Sequence, residues 1–128
     1  MKSTERPTLK FNFYGKTYTL YFALNFYEAD KSIAVMSYSV EDDIEEPFAN
    51  ITVCIPSPCG IGKDRAYIDT NNLPDIDNAL VKAGFAKPTG TYKQSGYVSY
   101  PEYQFSRRFL NAVDPEMYER YLRANGFN

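Results

Sequence analysis

Period-two alternation around a single Gly-Lys step is the feature that most limits how this chain can fold. Leu9, Phe11 and Phe13 alternate with Lys10, Asn12 and Tyr14. After Gly15-Lys16, the residues Tyr18, Leu20, Phe22, Leu24 and Phe26 share one side, and Thr17, Thr19, Tyr21, Ala23, Asn25 and Tyr27 share the other. A repeat of two is what a strand with one buried face requires, and a helix cannot use it. Glycine first in a two-residue connection matches a type II′ turn, so Gly15-Lys16 is expected to close a β-hairpin. A third strand is expected over 32–40. A fourth is expected over 48–55, ending at Pro56, which cannot donate to a ladder.

The remainder alternates between strand and helix signals. Ala66, Tyr67 and Ile68 read as a short strand. Pro74 at a first helical position, Asp75 and Asp77 beside the positive helix end, and Ile76, Leu80 and Val81 as an apolar stripe predict a helix stopped by Gly84. The stretch 88–96 reads as a Gly- and Thr-rich loop, and 97–100 as a strand. Pro101 reads as a bend, after which Tyr103, Phe105 and Arg107 alternate with Gln104, Ser106 and Arg108. Asp114-Pro115-Glu116 opens a last helix, with Met117, Tyr118, Tyr121 and Leu122 on one face and Gly126 at its stop. The expected fold is α+β: an antiparallel sheet of about six strands with two helices packed on it. At 128 residues the chain is the length of one domain, expected over 1–128 with 1–8 as a loose N-terminal arm.

Composition closes several functional classes. The chain holds no His and no Trp but 12 Tyr. Without imidazole there is no Ser-His-Asp or Cys-His nucleophile, no His-ligated metal and no ordinary near-neutral proton shuttle. Gly60-Ile61-Gly62-Lys63-Asp64 fails as a phosphate loop, because Ser57 stands where the first Gly is needed and Asp64 where a hydroxyl is needed. Counted from Asp69, an EF-hand would need Gly at the sixth position and Glu at the twelfth, where Pro74 and Leu80 stand. Asp69, Glu102 and Asp114 are available as paired carboxylates, but no pattern joins them. A non-enzymatic protein with no cofactor and no bound metal is therefore expected.

Cys54 and Cys59 have four residues between them, neither the redox Cys-x-x-Cys spacing nor half of a zinc site. No apolar h-region follows Met1, and no apolar run is long enough for a membrane span. A cytoplasmic protein with reduced thiols and no membrane contact is the expectation.

Charge is uneven under a formal total of −2. Residues 1–46 carry a net −3, 47–81 a net −2, and 82–128 a net +3. Five of the eight acidic residues of 1–46 are Glu41, Asp42, Asp43, Glu45 and Glu46, a run interrupted only by Ile44. Mutual repulsion suits such a run to a solvated loop; its functional alternative is an acidic patch that meets a basic partner. At the other end, Tyr97, Tyr100, Tyr103, Arg107 and Arg108 combine aromatic faces with guanidinium groups. Those side chains dominate protein–protein hot spots, and they also stack on bases and hold phosphates. A protein partner is the leading expectation and a nucleotide or single-stranded nucleic acid the alternative.

The segment from Tyr67 through Asp69-Thr70-Asn71-Asn72 to Pro74, with Pro88-Thr89-Gly90 and the run from Gln94 to Phe105, resembles a bacterial family of small proteins of unknown function. Its signature is aromatic-x-x-Tyr-Pro-x-Tyr-x-Phe, met here by Tyr97, Tyr100, Pro101, Tyr103 and Phe105. The resemblance spans 9–110 and implies no catalytic residues. It implies a setting in mobile elements, where small acidic accessory proteins block host defence systems.

Overall fold

The computed structural model describes residues 6–55 and 61–127. The chain order is β1 (Leu9–Phe13), β2 (Lys16–Phe26), β3 (Ile33–Glu41), β4 (Ile44–Asn50), β5 (Thr52–Val53), β6 (Arg65–Ile68), α1 (Ile76–Lys82), β7 (Ala86–Ser95), β8 (Val98–Phe105), α2 (Arg107–Val113) and α3 (Pro115–Asn125). The α+β class stands, but the strands divide into two antiparallel sheets of four, ordered β1-β2-β3-β4 and β5-β6-β8-β7, with three helices.

The first sheet is a meander built on the expected alternation. Leu9, Phe11, Leu20, Phe22, Leu24, Ile33 and Val35 are buried on one face and meet Ala66, Ile68, Ala86, Tyr103 and Phe105 of the second sheet in one apolar cluster. The helices add Ile76 and Leu80, Phe109 and Leu110, and Tyr118 and Tyr121 to it. Phe109 links the layers, with its ring 5.1 Å from Phe22 and 4.5 Å from Phe85. The sheets are joined at Ile51, between β4 and β5. Its N–H donates to the Val35 carbonyl (2.8 Å), and its carbonyl accepts from the Asp69 N–H (2.9 Å).

Several boundaries differ from the sequence expectation, each for a local reason. The first turn is Tyr14-Gly15, both with positive φ (50° and 83°), so Lys16 already pairs with Phe13 and the turn is of the I′ kind. The acidic run is not a loop. Asp42 and Asp43 form a second two-residue turn with positive φ (52° and 64°), and Glu45 and Glu46 lie in β4 opposite Val40 and Ser39. Aspartate tolerates the left-handed region better than most residues, and here that preference decides the turn. The stretch 88–95 is strand rather than loop, and of the expected loop only Gly96 lies in the turn that follows. Its Pro and Gly are absorbed by a register shift between Pro88 and Tyr92 on the outermost strand. Pro101 does not break β8, because it lies beyond the residues that pair with β6, where only β7 is a neighbour.

Arg107 and Arg108 belong to a helix that the strand reading missed. Ser106 caps it by accepting from the Phe109 N–H at 3.0 Å. The first helix begins at Ile76, two residues after Pro74, while Gly84 ends it as expected: the Gly84 N–H reaches the Val81 carbonyl and the Phe85 N–H the Leu80 carbonyl. Gly84 needs φ of +80° to close that pair of bonds, a conformation only glycine adopts without strain. The last helix matches expectation at both ends, with Asp114 accepting from the Met117 N–H at 3.0 Å and Gly126 at the stop. Of the expected N-terminal arm, residues 1–5 lie outside the described residues, and the Arg6 guanidinium lies 5.8 Å from the Tyr38 ring centroid.

Candidate functional site

The β7–β8 hairpin distributes the aromatic and basic residues along its length. Pairing runs from Ala86 opposite Phe105 at the base to Ser95 opposite Val98 at the tip. At the usual strand rise, β8 alone is roughly 25 Å long. Tyr97 occupies the turn and is fully exposed, and Tyr92 on β7 is 67% exposed. Tyr100 is half-buried and lies opposite Lys93. Tyr103 turns the other way. It is buried, and its hydroxyl donates to Asp77 Oδ2 at 2.8 Å, which fastens α1 to the sheet. Burial and that acceptor hold the Tyr103 phenol well above its ordinary pKa. Arg107 and Arg108 are exposed at the opposite end from Tyr97. The five residues therefore form no single cluster: Tyr97 is exposed at the tip, Tyr100 is half-buried along the arm, Tyr103 is structural, and the arginines start a helix at its base.

The acidic residues occupy the β3–β4 hairpin on the first sheet, all exposed. Glu41 pairs with Lys16 at 2.9 Å, and the contact holds the Lys16 pKa above its ordinary value. The available carboxylates each have a local partner. Asp69 accepts from the backbone N–H and the side-chain amide of Asn72 (3.2 and 2.9 Å). Asp114 caps α3. Glu102 is buried, accepts from Thr89 Oγ1 at 2.6 Å and lies 3.7 Å from Arg65. Cys54 Sγ donates to Asp30 Oδ1 at 3.8 Å, and burial raises the thiol pKa. Cys59 lies outside the described residues, as do the first residues of the rejected phosphate loop. Among the described residues no group of three His, Cys, Asp or Glu side chains gathers as a metal site. No described helix is long and apolar enough to cross a membrane.

Sequence reading met Asp64 only as the misfit in a phosphate loop and missed its burial. The residue is 4% exposed, sits at φ +61°, and is gripped from the last helix. The Tyr118 hydroxyl donates to Asp64 Oδ2 at 3.0 Å, and the Asp64 N–H donates to the Tyr121 hydroxyl at 2.7 Å. Oδ1 has no hydrogen-bond partner among the described residues. Burial raises the Asp64 pKa, while Tyr118, Lys63 and Arg107 oppose that shift. Tyr118 in turn is pushed up to about 12 by burial and by the carboxylate. Only the helical spacing of Tyr118 and Tyr121 hinted at this grip; the residue they hold lies more than fifty residues away in sequence.

Beside Asp64 the base of the β7–β8 arm opens into a cleft of about 510 Å³, bounded by the end of α1 and the start of α2. No curated protein and no solved structure matches the chain. The family model described as a domain of unknown function (DUF4313) matches residues 21–125, most of the chain, and the protein belongs to that family.

Proposed function

We propose that the protein acts by binding another protein, without catalysis, and that the β7–β8 arm is the surface it uses. The observation that carries this reading is the exposure of Tyr92 and Tyr97 on the arm. Burying a tyrosine ring in a partner's pocket removes a large apolar area from water, and the two χ angles cost little entropy to fix, which is why tyrosine anchors so many interfaces. The residues that could have served chemistry are instead engaged in the fold: Tyr103 with Asp77, Glu102 with Thr89, and Asp114 in its helix cap.

The family resemblance suggests a host defence protein as the partner, and the exposed acidic hairpin would complement a basic surface on it. The test compares the protein, its Tyr92→Ser/Tyr97→Ser variant and its Glu41→Lys/Asp43→Lys variant as baits in host lysate. A protein enriched by the wild type and lost at least tenfold with the tyrosine variant supports the arm. Equal recovery by all three, or no recovery, ends the proposal. The second reading, nucleotide or single-stranded nucleic-acid binding, is favoured by one observation, the cross-strand pairing of Lys93 with Tyr100. It predicts oligonucleotide binding that weakens steeply with salt.

A further inference from the structure

The cleft at the base of the arm has a lining that protein binding at the tip does not use. Lys87 and Arg107 lie in its wall, both exposed, and among the described residues neither forms an ion pair. Gln104, opposite both Lys87 and Arg65, is half-buried, and its amide has no hydrogen-bond partner among the described residues. Arg65 continues the same cross-strand row but lies 3.7 Å from the buried Glu102 carboxylate, so it adds no free cation to the cleft. Val81, on the last turn of α1, leaves an apolar side chain 41% exposed at the rim, and Ala86 extends that apolar surface inward.

The carboxyl in the wall belongs to Asp64, which is 4% exposed, accepts from the Tyr118 hydroxyl through Oδ2, and lies close enough to Arg107 for that cation to favour its charged form. The result is a half-open pocket with a positive side, an apolar side and a free amide between them. Its volume lies in the usual range for small-ligand sites, far more than a lone inorganic ion fills.

From this placement we infer that the cleft binds a nucleoside monophosphate, with the phosphate on Lys87 and Arg107, the base against Val81 and Ala86, and the base edge read by Gln104. Lysine and arginine are the residues that hold phosphate oxygens. A glutamine amide offers one donor and one acceptor side by side, the pattern that pairs with the N6 and N7 edge of adenine. Adenosine monophosphate is therefore the probe of choice. The site stands apart from Tyr92 and Tyr97, so it does not depend on the arm's having a protein partner.

The experiment is titration calorimetry of the full chain with adenosine monophosphate, adenosine and inorganic phosphate at low ionic strength. Saturable one-to-one binding of the monophosphate is expected, at least tenfold tighter than adenosine or phosphate alone. Lys87→Ala/Arg107→Ala should weaken it at least tenfold, and Lys87→Arg should keep most of it. Gln104→Leu should reduce the preference for adenosine over uridine monophosphate without loss of phosphate dependence. Both cations are exposed, so unchanged melting temperatures are expected for these variants. No binding of any monophosphate, binding indifferent to Lys87 and Arg107, or phosphate binding as tightly as the nucleotide overturns the assignment.

Discussion

Asp64 shows how one residue can be decisive in the structure and silent in the sequence. Its backbone N–H, carbonyl and Oδ2 all have partners, while Oδ1 has none among the described residues. Replacing Tyr121 with Phe would strand the buried Asp64 N–H, and a loss of about 1–3 kcal/mol is expected in denaturant unfolding. The carboxyl also sets a pH dependence. Burial holds its folded pKa above the unfolded value of about 4, so the native state binds the proton more tightly than the unfolded chain. Its contribution is therefore fully favourable below about pH 4 and is lost as pH rises through the folded pKa. Subtracting the stability curve of Asp64→Asn from that of the wild type should leave a difference that declines from about pH 4 upward; a difference that rises or stays flat would show that the carboxylate form is the favoured one. Nothing near Asp64 in sequence announces this, since the phosphate-loop comparison drew attention only to the hydroxyl it lacks. What makes it matter is a helix more than fifty positions later.

At the level of elements, legibility followed the range of the deciding interaction. Asp114, Pro115 and Gly126 fix α3 within a few residues of themselves, so its limits could be read directly. The strand β7 could not, because Pro88 and Gly90 look like loop residues until pairing with β8 supplies a bulge to hold them. The helix α2 carried a readable sign, Ser106 three residues before Phe109, which was overshadowed by the alternation leading into it. Ser106→Ala should cost about 1 kcal/mol, the usual value of such a cap, measured by thermal or urea unfolding. The first hairpin turn stores strain, because Tyr14 adopts a left-handed backbone that bulky residues avoid. Tyr14→Asn should stabilise the protein by about 0.5–1 kcal/mol. A loss instead would mean that the ring's edge contact with Phe13, centroids 4.5 Å apart, outweighs the turn preference.

For the whole molecule, the exposed margins of the two sheets decide what it can touch. The outermost strand of the first sheet, β4, carries Glu45, Glu46 and Pro47. Charge and proline on an outer strand discourage pairing with another chain, which gives Glu45 and Glu46 a role on β4 alongside any contact the hairpin makes with a partner. Glu45→Val/Glu46→Val/Pro47→Val should self-associate in size-exclusion chromatography where the wild type does not. If the variant elutes like the wild type, the run is not a guard and its charge serves something else. The division of the strands into two sheets was the least legible feature, since a continuous β-branched stretch from Phe48 to Ile55 gives no sign of where one sheet ends.

That handover has a dynamic consequence. At Ile51 a single peptide segment is bolted to both halves, through its own amide and its own carbonyl, in a position with no solvent access. The halves cannot part like a hinged book without breaking this rivet, so opening there requires the whole structure to come undone. In native-state hydrogen exchange the Ile51 and Asp69 amides should be among the last to acquire deuterium, with protection equal to the global unfolding free energy.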